Sequence, residues 1–138
     1  MASIDPRPEE FSQLIARIPP RQPVVMLNML RFAEYASYPD SDEVVSGRDA
    51  YARYATLARK FVEEVGGKVI LRGAALSPLI SPQGEDWDDV FLVRYPAVEN
   101  FMEMLLNPEY QEITRHRRAA LMDSRLIALS DNDVTGGD

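Results

Sequence analysis

The sequence predicts a single α+β domain in which a four-stranded antiparallel sheet carries two helices on one face. The 138 residues suffice for one core of this kind and are too few for two. Four short apolar runs alternate with segments whose apolar residues recur every three to four positions, as in amphipathic helices. After an opening helix, the order of these segments is strand, helix, strand, strand, helix, strand.

An amphipathic helix, a strand and a long loop begin the chain. A helix cannot continue through Pro19-Pro20. The apolar positions at helical spacing before these prolines are Phe11, Leu14, Ile15 and Ile18. Residues 24–32 are apolar at nearly every position, which is typical of a strand buried on both faces. Residues 33–46 are rich in acids and turn-forming residues and predict a loop of the kind that often forms a lid.

The second helix is the most clearly marked element. Ser46 stands three residues before Asp49, in a variant of the capping box, and Gly66-Gly67 ends the helix. Its apolar face is formed by Tyr51, Tyr54, Ala55, Ala58, Phe61, Val62 and Val65. Residues 68–75 predict a second strand, which we expect to continue past Pro78 as an edge strand.

The remaining segments complete the sheet. A third strand at 90–95 ends at Pro96, and the helix after it is interrupted at Asn107-Pro108. A fourth apolar strand at 126–129 follows, which gives the ferredoxin-like βαββαβ arrangement. We divide the chain into an N-terminal helix and linker (1–20), the ferredoxin-like domain (21–130) and a tail expected to be disordered (131–138).

Both faces of the predicted sheet are apolar. Along the first strand, one face presents Val24, Met26 and Leu30, and the other presents Val25, Leu27 and Met29. Burying one such side chain stabilises a protein by about 1.5–3 kcal/mol, so a helix-free face left in water would be a large loss and an aggregation hazard. We therefore expect a homodimer in which the helix-free faces of two sheets pack together.

Composition and charge exclude several classes of protein. The formal net charge is −7, so the chain would repel nucleic acid and anionic membranes, and neither is expected as a partner. The absence of cysteine excludes disulfides, thiolate nucleophiles and cysteine-based metal sites. No apolar run reaches the ~20 residues of a membrane span. The first residues do not resemble a signal peptide, and we expect a cytoplasmic protein.

Several segments together resemble a known family. They are VVMLNMLRF, GRDAYARY, VGGKV, WDDVFLVRYP, NPEYQ and HRRAALMDSRLIAL, in this order and spacing. Over roughly residues 21–130 the sequence is similar to domain-of-unknown-function family 1330, which is placed in the dimeric α/β-barrel superfamily. The resemblance implies a ferredoxin-like subunit that pairs sheet to sheet into a barrel. It implies no single reaction, because the superfamily includes cofactor-free monooxygenases, lactone isomerases and haem enzymes.

His116 is the only histidine, so a multi-histidine metal site is excluded and histidine acid–base chemistry depends on this residue alone. It lies at the border of an apolar stripe, beside Arg115, Arg117 and Arg118, whose charges would lower its pKa if they are close. We take His116 as the best catalytic candidate. The structural alternative is a half-buried histidine bonded to the backbone or to a carboxylate, and a haem ligand is rarer still.

Two other polar residues interrupt apolar segments. Arg117 falls in the middle of the apolar stripe of the last helix, where a guanidinium needs a partner. This partner is either a carboxylate such as Asp123, in a structural bridge, or the anionic group of a ligand. Asn28 lies in the first strand, where its amide needs hydrogen bonds. It could orient a ligand carbonyl, satisfy a neighbouring strand or mark a dimer contact.

The other ligand-binding candidates are arginine and aromatic side chains. Arg72 and Arg94 each lie inside a strand and either face a ligand or point to the barrel rim. Tyr51 and Tyr54 begin the buried face of the second helix, and with Trp87 they could wall a cavity, although most aromatics at helical spacing are core. The acids around Trp87 lack a cation-binding loop pattern, so no metal site is expected.

The sequence contains no phosphate-binding glycine loop, G-x-S-x-G elbow or H-E-x-x-H motif, so kinase, hydrolase and zinc-protease functions have no support. The predicted function is small-molecule binding, in the form of a cofactor-independent enzyme, oxygenase- or isomerase-like, acting on a small organic substrate. Asn28 and an arginine would orient the substrate between sheet and helices, and His116 would exchange a proton. The alternative is a non-catalytic ligand-binding or dimerisation module. No cofactor is expected.

Overall fold

A computed structural model of the protein describes residues 3–6 and 8–131, so the predicted disordered tail lies outside the described residues except for Asp131. The elements in chain order are α1 (Pro8–Arg17), β1 (Val24–Phe32), α2 (Gly47–Glu64), β2 (Lys68–Ala74), β3 (Asp89–Tyr95), α3 (Val98–Leu106), α4 (Pro108–Ala120) and β4 (Leu121–Ser130). The sequence predicted these elements with differences at their ends, and it predicted α3 and α4 as one helix interrupted at Asn107-Pro108.

The strands form one antiparallel sheet in the order β2-β3-β1-β4. This order, with the helices between the strands, is the ferredoxin-like topology that the sequence predicted. The expectation that β2 continues past Pro78 is wrong. Ala75 N donates to Asp88 O at 2.8 Å, which closes the pairing of β2 with β3, and the chain then leaves the sheet as a loop. Pro78 has no N–H group with which to extend the ladder.

The helix-facing side of the sheet holds the core. Val24 and Leu30 of β1 are fully buried there. Around Val24, one cluster joins β1 and β3 to the helices, and its members include Met26, Ala58, Phe61, Val93, Phe101 and Tyr110. Around Leu30, a second cluster forms at the other end of the sheet, with members Tyr38, Ala50, Tyr51, Ala119, Ala120 and Leu121. Thus β1 is the strand on which both halves of the core depend.

The opposite, helix-free side of the sheet is also apolar. One row across it consists of Leu71, Leu92, Leu27 and Ile127, which are cross-strand partners in that order. Facing partners in neighbouring strands share a face of the sheet. Leu71 is 63% exposed and Ile127 is 46% exposed, because no helix covers this side.

Both ends of α2 match the signals in the sequence. Ser46 Oγ accepts a hydrogen bond from Asp49 N at 3.0 Å and so caps the first turn. At the other end, Gly66 has a φ of 82°, and the amides of Gly66 and Gly67 donate to Glu63 O and Val62 O. These two bonds form a Schellman motif, which ends the helix.

Gly47, at the start of α2, lies against the backbone of two other elements. A Cβ atom at this position would stand 2.1 Å from Ala33 O and 2.6 Å from Ala120 O. Backbone oxygens cannot move aside as the end of a flexible side chain can. Therefore only glycine allows α2 to begin this close to the end of β1 and the junction of α4 with β4.

We expect Gly47→Ala to lower the free energy of unfolding by about 3 kcal/mol, the upper end of the usual cost of overpacking. Gly73→Ala is the matched control, since a Cβ there meets no atom within 4 Å, and it should change stability by less than about 0.5 kcal/mol. Urea denaturation of both variants measures this difference. Equal stability of the two variants would contradict the packing argument.

Candidate ligand-binding site

A cavity of about 1660 Å³ lies between the helix-facing side of the sheet and the helices. Its floor comes from all four strands, and its walls come from α1, α2, α3 and α4. Several apolar core side chains line it, among them Met26, Val93 and Phe101. The chemistry of the cavity is therefore set by the few polar groups that interrupt this lining.

On the helix-facing side of the sheet, polar side chains occupy two neighbouring rows. One row consists of Arg72, Phe91, Asn28 and Leu126, and the next consists of Ala74, Asp89, Leu30 and Ser124. Asn28 Nδ2 donates to Met26 O at 3.2 Å, within its own strand. Because Asn28 lies on the same face of β1 as the buried Met26 and Leu30, its amide faces the helices and not the helix-free side.

Tyrosines of α2 and α4 form the opposite wall. The hydroxyls of Tyr54 and Tyr110 are 2.6 Å apart and hydrogen-bonded to each other. The hydroxyl of Tyr51 forms no hydrogen bond with any residue that the structure describes, although the side chain is buried and lines the cavity. Burial raises the pKa of Tyr51, and Tyr54 and Asp89 act in the same direction, while Arg117 and Arg72 oppose them. The phenol is therefore protonated at neutral pH.

Arg117 reaches the same cavity from α4 and holds the N-terminal segment. Its guanidinium donates to Ile4 O and, at 3.4 Å, to Ser124 Oγ, and Ser124 Oγ donates to Ser3 O. A bridge from Arg117 to Asp123, the structural alternative in the sequence analysis, is absent among the described residues. Asp123 Oδ1 instead accepts from Arg125 Nη1 and from Ser3 N, each at 2.8 Å.

Arg72 and Arg48 flank the carboxylate of Asp89. Each guanidinium nitrogen lies 3.8 Å from a different oxygen of Asp89, a distance that permits an ion pair but not a hydrogen bond. The Asp89 side chain is 12% exposed, whereas the Arg72 side chain is 61% exposed. Arg72 thus keeps most of its donors available at the cavity edge.

His116 does not lie in the cavity. It faces the 33–46 loop, where His116 Nδ1 and the Tyr38 hydroxyl are 2.6 Å apart and hydrogen-bonded. Burial lowers the pKa of His116, and the nearby charges of Arg115 and Arg53 lower it further. The structure therefore does not place His116 where the sequence-based hypothesis put a proton-transfer group, between the sheet and the helices.

Arg94 and Trp87 also lie away from the cavity. Arg94 is opposite Val25 in the register, on the helix-free side, and Arg94 Nε donates to Asp131 Oδ2 at 2.6 Å. Trp87 lines a separate pocket of about 240 Å³, where the Arg125 guanidinium stands 5.0 Å from its ring centroid. Of the sequence-predicted residues, the structure brings together Asn28, Tyr54, Arg72 and Arg117.

Sequence reasoning missed several polar groups at the cavity. Arg117 meets Ser124 and the backbone oxygen of Ile4, and Ser124 meets that of Ser3, only because the two ends of the described chain come together. No local pattern marks such contacts. Tyr51 differs from these groups, because its position beside Tyr54 on the buried face of α2 indicated an aromatic wall.

In the described part of the chain, no group of three or more histidine, aspartate or glutamate side chains is arranged to hold a metal ion. Among the helices described, none combines the length and apolar character needed to cross a membrane.

Fold and cavity together define a ferredoxin-like protein with an open cavity between sheet and helices. The model of a domain of unknown function, DUF1330, matches residues 41–130, and the chain belongs to this family. A structure of the RPA0582 protein of unknown function from Rhodopseudomonas palustris is 41% identical in sequence, with a TM-score of 0.89. That match covers 96% of this chain and 99% of the other. No curated protein matched the sequence.

Remote solved structures share the fold at low sequence identity. Hydroxynitrile lyase from Passiflora edulis is 16% identical, with a TM-score of 0.56 and coverage of 83% of this chain and 97% of the other. SnoaB, a cofactor-independent oxygenase from Streptomyces nogalater, is 13% identical, with a TM-score of 0.50 and coverage of 81% and 95%. A dimeric protein of unknown function and ferredoxin-like fold from Bacteroides fragilis is 9% identical, with a TM-score of 0.51 and coverage of 81% and 99%.

The lowered pKa of His116 predicts a pH-dependent stability. The unfolded chain binds a proton near the ordinary pKa of 6.5 and the folded chain only at lower pH, so the free energy of unfolding should fall as pH drops through this interval. Since the chain has one histidine, His116→Asn should remove this component. Urea denaturation at about pH 7.5 and about pH 5.5 tests it. A wild type that loses no more stability than the variant at the lower pH would refute this role.

Proposed function

We propose that this protein binds a small organic molecule in the cavity between its sheet and helices. The observation that supports this most strongly is the convergence of Asn28, Arg72, Arg117 and Tyr51 on one apolar-lined space. Ligand sites combine an apolar lining with a few polar groups that orient the ligand. The Tyr51 hydroxyl forms no hydrogen bond with the described residues, and among those residues no fully buried side-chain nitrogen or oxygen lacks a partner, so this hydroxyl is open to the cavity.

The cavity is also suited to a cofactor-independent enzyme that acts on a small organic substrate, which is our second candidate function. The observation in its favour is the row of tyrosine hydroxyls in the cavity wall, from Tyr51, Tyr54 and Tyr110. Phenols can donate protons or hydrogen bonds to a reacting oxygen. Among proteins of this fold are a hydroxynitrile lyase and a cofactor-independent oxygenase. Because His116 lies outside the cavity, these tyrosines would replace it as proton donors.

We further propose that the protein acts as a homodimer whose helix-free sheet faces pack together. The row of Leu71, Leu92, Leu27 and Ile127 supports this, because a single chain leaves it without cover. In the 75–88 loop beside this sheet, Leu76, Leu79 and Ile80 are each more than 90% exposed. A ferredoxin-like protein from Bacteroides fragilis is described as dimeric, which is consistent with such pairing.

Filling the cavity should abolish ligand binding. Ala55 lines the cavity on α2, whereas Ala52 lies on the exposed face of the same helix. We expect members of a small-molecule fragment library to raise the melting temperature of the wild type and of Ala52→Phe but not of Ala55→Phe. A calorimetric or dye-based thermal scan measures this. Fragments that stabilise all three proteins alike, or none of them, would count against a ligand site in this cavity.

The dimer should depend on the helix-free sheet face. Light scattering at micromolar concentration should give twice the mass of the 15.6-kDa chain. Ile127→Glu places a charge on this face and should give a monomer or a weaker dimer, since a buried unpaired carboxylate is costly. Leu57→Glu, at a similarly exposed site on α2, should leave the dimer intact. A monomeric wild type would refute the homodimer and leave the apolar face unexplained.

A further inference from the structure

The residues that line the cavity carry a net positive charge, whereas the whole chain carries a net negative charge. The chain has 22 acidic and 15 basic residues. Yet among the described residues that line the cavity, seven are basic and three are acidic. Arg59 and Arg118 are paired with the cavity acids Glu63 and Asp5. The excess positive charge therefore lies on the other basic residues, among them Arg117, and favours an anionic occupant.

The guanidinium of Arg117 has more N–H donors than it uses in hydrogen bonds with the described residues. Its two hydrogen bonds go to uncharged oxygens, Ile4 O and Ser124 Oγ. Among the described residues no carboxylate lies within 4 Å of its guanidinium, although the residue is half-buried. A guanidinium carries several N–H donors in a planar fork that matches a carboxylate. The charge of Arg117 is therefore not neutralised by a described residue.

Tyr51 adds an unused hydrogen-bond donor beside this charge. The side chain is 5% exposed, and its hydroxyl has no hydrogen-bond partner among the described residues. Arg117 and Arg72 both act on the hydroxyl electrostatically, from the α4 wall and from the β2 floor. A buried phenol that keeps its proton, close to two guanidinium groups, is suited to donate to an anionic oxygen.

The floor around these donors limits the size and shape of the anion. In the same sheet row as Arg72 are Phe91, Asn28 and Leu126, so the donors stand beside apolar surface as well as an amide. A planar carboxylate attached to an apolar body matches both parts of this wall. The carboxylate would face Arg117, Arg72 and Tyr51, while its body would contact Phe91 and Leu126.

We propose that the cavity binds small organic acids, whose carboxylate is held by Arg117, Arg72 and the hydroxyl of Tyr51. This inference rests on the proposed function, because it names the chemical class of the ligand in the same cavity. It assigns Tyr51 a part in specificity that the sequence did not reveal.

Pairs of acids and their primary amides test the proposal, since each pair differs mainly in charge. Suitable probes are benzoate with benzamide, phenylacetate with phenylacetamide, and hexanoate with hexanamide. Titrations followed by backbone NMR shifts should show at least one acid binding about tenfold or more tightly than its amide. Tyr51→Phe should reduce that preference by about tenfold while leaving thermal stability unchanged, because its hydroxyl has no hydrogen bond with the described residues to lose.

Tyr95→Phe is the matched control. Tyr95 is equally buried and lines the same cavity, but neither arginine contributes to the pKa shift of its hydroxyl. Its loss should leave the preference for acids unchanged, whereas Arg72→Gln should reduce it. Acids and amides that bind equally well would overturn the proposal and leave a neutral-ligand cavity. A preference that survives in Tyr51→Phe would also overturn it. Failure of every probe and of the whole fragment library would reject the ligand site itself.

Discussion

The central strand β1 must bury apolar side chains on both of its faces, and the rest of the structure follows from this constraint. Val24 and Leu30 are fully buried under the helices, and each anchors one of the two core clusters. The alternate residues of β1 point to the other side, into a row of leucine and isoleucine that no helix covers. Both faces of β1 are thus apolar, and the helices of the single chain pack against only one of them.

The helix-facing side is where the apolar character of the sheet is broken. Polar groups there occupy two adjacent rows, and tyrosines and Arg117 face them across the cavity. In a well-packed core each of these groups would be a liability unless paired. Their concentration on one side of β1 is the basis of the two proposals, that this face binds a small molecule and that the opposite face packs against a second copy of the chain.

The fold was predictable because periods of two and of about 3.6 residues, with caps at Ser46 and Gly66, are local properties of the chain. The candidate site was less predictable from the sequence. Asn28 and Arg94 lie on opposite sides of the sheet, and this depends on strand register. The environment of His116 depends on Tyr38, which reaches it from a loop 78 residues away in sequence. Contacts of this kind arise from tertiary packing and leave no mark in local composition.

The attachment of the N-terminal segment has a consequence for how the protein folds as it is made. Ser3 bonds to Asp123 and Ser124, which are 120 and 121 residues further along the chain. These contacts can form only after β4 has left the ribosome. Closing so long a loop carries an entropic cost before any contact compensates for it. The segment around Ser3 can therefore take its place in the cavity wall only after β4 has been made.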